Sequence, residues 1–94
     1  MYTKQWLIDL PVGTQLIFGD EPCDIYTVSP KKYRLHNKIQ RYLKMPLSQD
    51  LLRLYFDDQE QQCRIAFQEP THDWPFEGRI KGIIYPQESA LETV

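Results

Sequence analysis

Hydrophobic and polar positions alternate along most of this chain. Residues 14–18 and 23–28 alternate on either side of Gly19-Asp20-Glu21-Pro22, which predicts a hairpin around that turn. Over residues 51–56, Leu52, Leu54 and Phe56 share one parity and Arg53 and Tyr55 the other. Residues 62–68 repeat the pattern, with Cys63, Ile65 and Phe67 opposite Gln62, Arg64, Ala66 and Gln68. The polar link Asp57-Asp58-Gln59-Glu60 joins these two runs and predicts a second hairpin. An isoleucine-rich run over residues 79–85 predicts a fifth strand. Leu10-Pro11-Val12-Gly13 reads as a turn, and residues 3–10 before it suit a short helical turn.

Residues 29–44 carry a different period. Leu35, Ile39, Tyr42 and Leu43 fall at i, i+4, i+7 and i+8, one face of a helix. Ser29 suits the N-cap, Pro30 the first helical position, and Pro46 a stop. The spacing predicts an amphipathic helix here. A hairpin through His36-Asn37 competes with it, because Tyr33 and Leu35 also alternate with Arg34 and His36. The expected fold class is α+β: a small antiparallel sheet of about five strands with one amphipathic helix, in the order ββαβββ. A partly closed barrel with the helix inserted is the alternative.

Composition narrows the class. The chain has 94 residues, 41% hydrophobic and 26% charged, which is ordinary globular usage. That length suits a single domain, expected over residues 1–86 with a flexible tail over 87–94. No apolar run approaches the roughly 18 residues that cross a bilayer. The first apolar stretch is short, is interrupted by Asp9, and lacks a signal-peptide pattern, so the expected compartment is the cytoplasm. Cys23 and Cys63 lie far apart in alternating runs and are expected as buried free thiols rather than a disulfide.

Net charge is −2, but the sign is unevenly distributed. Six of the 11 cations, Lys31, Lys32, Arg34, Lys38, Arg41 and Lys44, fall within 14 residues. No carboxylate occurs over residues 25–49. On a helix, Arg34, Lys38 and Arg41 stack into a basic stripe able to meet successive phosphates, with Tyr33 or His36 as stacking surfaces. The plain alternative is a solvated face, although such faces ordinarily interleave both signs. A second candidate is the solvent face of the sheet. Arg53, Tyr55, Arg64, Lys81 and Tyr85 occupy the non-core parity, and cations with aromatics on an open sheet can hold unpaired bases. Sheet exteriors also carry such residues without any function. Trp74 and Phe76 either close the end of the core or form a protein-binding anchor, and Trp6 poses the same question.

Catalytic and metal chemistries find little support. Cys23, Cys63, His36 and His72 lack paired zinc-ligand spacing. The acidic groups around residues 20–24 and 57–60 sit in predicted turns, where aspartate is favoured for local reasons, and lack the spacing of a calcium loop. No nucleophile elbow, phosphate loop or dinucleotide glycine motif occurs. The chain is therefore expected to be a small non-catalytic binding module without cofactor. Its expected partner is RNA, DNA or another anionic surface, met through a basic helix. The alternative is a protein-interaction, adaptor or inhibitor subunit, with a homodimer compatible, that uses exposed aromatics.

Overall fold

The computed structural model describes residues 1–35, 38–47, 51–66 and 73–87, with backbone alone for residues 31–35, 38 and 51. A helix, α1 (Lys4–Asp9), is followed by strands β1 (Gln15–Ile17), β2 (Ile25–Leu35), β3 (Lys38–Lys44), β4 (Leu51–Asp57), β5 (Gln62–Ala66), β6 (Asp73–Pro75) and β7 (Gly82–Ile84). A 3-10 turn, Pro22–Asp24, leads into β2. All seven strands form one sheet in the order β6-β5-β4-β3-β2-β1-β7, and every pairing is antiparallel.

That order dictates a curled sheet. β6 and β7 are neighbours in sequence but lie at opposite edges. Six gaps of about 4.8 Å would separate the edges of a flat sheet by roughly 29 Å. Only six residues connect Pro75 to Gly82, and even fully extended they reach no more than about 25 Å. They are not extended, because the amides of Arg79 and Ile80 both donate to the Phe76 carbonyl. The sheet therefore rolls into a half-barrel, and the β6–β7 connection crosses its open side.

This architecture corrects the expected five strands in the order ββαβββ. Residues 29–35 and 38–44 belong to the antiparallel strands β2 and β3, not to a helix. The positions that suggested a helix explain the misreading. Residues 35, 39 and 43 are four apart, a spacing common to the helical and the strand period, so only Tyr42 argued for a helix. Pairing decides the matter, since β3 fills the gap between β2 and β4 with Leu43 opposite both Val28 and Leu52. Pro30 is accommodated at a bulge: between Val28↔Leu43 and Lys32↔Arg41, three residues of β2 face the single residue Tyr42. A proline lacks the donor that a regular ladder needs, so a bulge is where a strand tolerates one. Among the described residues the α-helix is the short N-terminal one, and Asp73–Pro75 add β6 at the sheet edge. Phe67 and Gln68, residues 70–72 and the tail from residue 88 lie outside the described residues.

The inner face carries the core. Leu16, Val28, Leu43, Leu52, Leu54, Phe56, Cys63 and Ile65 project from the strands and meet Leu7 and Leu10. Phe76 is fully buried where the chain leaves β6, with its ring 5.0 Å from Tyr2, 5.5 Å from Trp6 and 6.0 Å from Phe18. It plugs the open side of the half-barrel. Gly13, at φ 91°, closes a turn in which the Thr14 amide donates to the Pro11 carbonyl, a geometry that favours glycine at that position.

α1 is too short to persist alone. Thr3 caps it by accepting from the Trp6 amide at 3.1 Å, and Leu7 anchors it in the core. Its C-terminal end rests on Arg41, which is fully buried. The Arg41 Nη1 donates to the Leu7 carbonyl at 3.0 Å and the Ile8 carbonyl at 3.4 Å. Nε and Nη2 have no hydrogen-bond partner among the described residues. Burial without a carboxylate lowers the Arg41 pKa from its ordinary value.

Arg41 thus places an incompletely satisfied cation in the core, which makes two substitutions diverge. Arg41→Ala leaves two helix carbonyls unmet and opens a void, and is expected to cost roughly 2–4 kcal/mol in urea unfolding. Arg41→Met keeps most of the volume and removes the desolvated charge but also leaves the two carbonyls unmet, and is expected to cost about 1–2 kcal/mol, less than Arg41→Ala. Equal losses for the two variants would contradict this account of Arg41.

Candidate functional site

The six clustered cations separate once the chain folds. Arg41 points inward and serves α1. Lys44 is exposed at the opposite end of β3, level with Thr27 of β2 and Leu51 of β4. Lys31, Lys32, Arg34 and Lys38 lie on the far half of the β2–β3 hairpin. There the sheet narrows. β1 pairs with β2 only over Ile25, Tyr26 and Thr27, with a last contact at Val28, and β4 pairs with β3 only from Gln40 onward. Among the described residues, Arg34–Leu35 and Lys38–Ile39 therefore pair only with each other, whereas Lys32 and Tyr33 pair with Arg41 and Gln40, which pair with β4 on their other side. The basic stripe expected on a helix is instead the basic far half of a hairpin, a ribbon that is two-stranded at Arg34 and Lys38 and bordered by β4 at the level of Lys32, and neither of its strands contains a carboxylate. His36 and Asn37 lie outside the described residues.

Strand direction puts the β4–β5 turn at the same end of the sheet as the ribbon tip. Its acids are engaged locally. Asp57 accepts from the amides of Gln59 and Glu60. Asp58 pairs with Lys4 at 3.4 Å, and Glu60 meets Arg64 at 3.4 Å and Gln62 at 2.6 Å. This is the aspartate turn chemistry that the sequence suggested.

On the outer sheet face, Arg53, Tyr55 and Arg64 do converge, because Tyr55 is paired with Arg64 and Arg53 with Ala66. What they converge on is Asp73. The Tyr55 hydroxyl and the Arg64 Nε both donate to its carboxylate, and Arg64 Nη2 donates to its backbone carbonyl at 3.3 Å. Burial raises the Asp73 pKa, and the nearby Arg53 opposes that rise. The platform is thus internally compensated, with Arg64 held between two carboxylates. Lys81 and Tyr85 lie next to β7, at the other edge of the sheet order from β6. Lys81 is exposed, and the Tyr85 hydroxyl accepts from the Trp6 indole at 3.1 Å.

The aromatic anchors divide in the same way. Phe76 belongs to the core, whereas Trp74 is half-buried on β6 with the Arg79 guanidinium 4.6 Å above its ring. The cysteines also differ, and this corrects the expectation that both are buried. Cys63 is buried, and desolvation aided by Glu77 pushes its thiol up to about 12. Cys23 is exposed in the turn before β2, where the alternation does not extend. Among the described residues, no three His, Cys, Asp or Glu side chains gather as a metal site, and His72 lies outside them.

Two concavities formed by the described residues bear on function. One lies between the start of α1 and the β4–β5 turn, beside the Lys4–Asp58 pair. The other, about 190 Å³, opens at the mouth of the half-barrel. Phe18, Tyr26 and Trp74 supply rings, Leu52 and Ile65 the apolar floor, and Asp24 and Arg79 the charges. Sequence reading missed this cleft because its walls come from five separate elements and the β6–β7 connection. The Phe18–Tyr26 pair across a predicted hairpin was its one local signal. Compared with known protein families, curated proteins and solved structures, the chain matches none.

The thiols offer a direct check of the burial pattern. A thiolate-specific reagent is expected to modify Cys23 in the folded protein and Cys63 only after denaturation. Fast modification of both in native buffer would contradict the placement of Cys63.

Proposed function

We propose that this protein is a small non-catalytic module that binds nucleic acid through the ribbon formed by β2 and β3. The observation that carries the proposal is the placement of Lys31, Lys32, Arg34 and Lys38 on the far half of one hairpin, past the β1 pairing, in a stretch with no acid. A ribbon of two antiparallel strands fits the major groove of a duplex, and it can equally track a single-stranded backbone. Cations there meet phosphates and release counterions, so affinity falls steeply with salt. The net charge of −2 fits this reading, because attraction would be confined to the ribbon and would not spread over the surface. The reading places the protein in the cytoplasm.

The adaptor alternative keeps less support. Phe76 is in the core and the Trp6 indole is occupied by Tyr85, which leaves Trp74 as its main anchor. The outer-face group Arg53, Tyr55 and Arg64 is a weaker nucleic-acid candidate than the ribbon, since Asp73 and Glu60 neutralise part of it.

Fluorescence anisotropy with short RNA and DNA tests the proposal. Affinity is expected to fall by one or more orders of magnitude between about 50 mM and 200 mM salt. Replacing Lys31, Lys32, Arg34 and Lys38 together with Gln is expected to flatten the log–log salt slope by roughly 3–4, at about 0.7–0.9 for each phosphate no longer neutralised. No binding at the lower salt, or a slope that the fourfold replacement leaves unchanged, would remove the ribbon from the function.

A further inference from the structure

We propose that the cleft at the mouth of the half-barrel holds one unstacked nucleobase, between the rings of Phe18, Tyr26 and Trp74 and the guanidinium plane of Arg79. The chemistry of the cleft stands apart from the ribbon; the idea that the base arrives on a single strand rests on the nucleic-acid reading above.

Size, surface and charge select this class of ligand. A cavity of about 150 Å³ is enough for a benzene ring, whereas drug-sized ligands fill roughly 300–1,000 Å³. At about 190 Å³ the cleft takes a single ring system. Its walls are flat. Phe18 and Tyr26 lie 5.1 Å apart with their planes 38° from each other, and Arg79 lies over Trp74. Stacking on aromatic rings and arginine planes is how unpaired bases are held without regard to helix geometry. An aliphatic side chain would fill the space but make no use of the rim.

The rim carries one acceptor and one donor. Asp24 is fixed at the end of the 3-10 turn, where its Oδ2 accepts from the Glu21 amide at 3.2 Å. Gly19 permits this position, since a Cβ there would lie 2.2 Å from Asp24 Oδ2. A carboxylate held in place accepts from the exocyclic amine of a base such as cytosine. Arg79 is exposed and lies over the Trp74 ring, where the free side of its guanidinium plane can stack on a base or its nitrogens can meet the adjoining phosphate. Burial beside Asp24 also raises the Tyr26 pKa above its ordinary value.

The test compares wild type with Tyr26→Leu and Trp74→Leu, each first shown to retain the wild-type urea midpoint to within the loss of one ring. The probes are a short oligocytidylate, a duplex of mixed sequence and free cytidine. The single strand is expected to bind more tightly than the duplex, and each variant to lose roughly 5- to 100-fold on the single strand with its salt slope unchanged. Free cytidine is expected to shift the Trp74 indole and Gly19 amide resonances of the wild-type protein, a reading that needs no variant. Salt-dependent binding that the variants leave intact, with no shift from cytidine, overturns the cleft and spares the ribbon. Shifts from cytidine without strand binding uphold the cleft as a site for a free base and overturn the nucleic-acid reading. Neither shifts nor strand binding overturns both.

Discussion

The connection between β6 and β7 constrains everything else in this molecule. Six residues have to join the two edges of a seven-stranded sheet, and they cannot do so unless the sheet rolls up. Rolling turns one face inward, so alternate residues of each strand become core and the others surface. It also brings the crossing chain over the open side, where Phe76 meets rings from the N-terminal segment and from the end of β1. The cleft at the mouth follows from the same geometry, since Trp74 and Arg79 flank Phe76 in sequence and reach across to Phe18 and Tyr26.

Arg41 shows what this closure costs. The inner face of β3 contributes Arg41 and Leu43, and α1 lies against the sheet there. A leucine at residue 41 would fill space but leave the last carbonyls of a short helix unmet. The guanidinium satisfies two of them at the price of a buried charge with two idle nitrogens. Such an arrangement contributes less to stability than to position: it fixes where a helix of six residues ends relative to the sheet.

Charge is sorted by the fold more than by the chain. The outer face joins arginines to Asp73 and Glu60 in compensated groups, and the acidic β4–β5 turn is satisfied by its own amides and by Lys4 and Arg64. The ribbon has no acid within either strand. Its potential is therefore local, which suits contact with a polyanion at one place on a molecule that is acidic overall.

The alternation of Leu52, Leu54 and Phe56, and of Cys63 and Ile65, was enough to define β4, β5 and their inward faces, because a half-buried strand imposes a two-residue period that no neighbour can alter. Turn chemistry located the ends of β1 and β4 for a similarly local reason: glycine, proline and aspartate act on their own backbone. The cluster of cations in residues 31–44 was equally plain, as was the parity of Arg53, Tyr55 and Arg64. Whether residues 29–44 were helix or hairpin was not, since Leu35, Ile39 and Leu43 satisfy both periods and only the vacancy between β2 and β4 selects one. Nor could sequence reveal that Arg41 turns inward, that Asp73 meets Arg64, or that Trp74 and Phe18 share a cleft. Those contacts join residues from 9 to 56 positions apart, and only the closing of the sheet sets the distances between them.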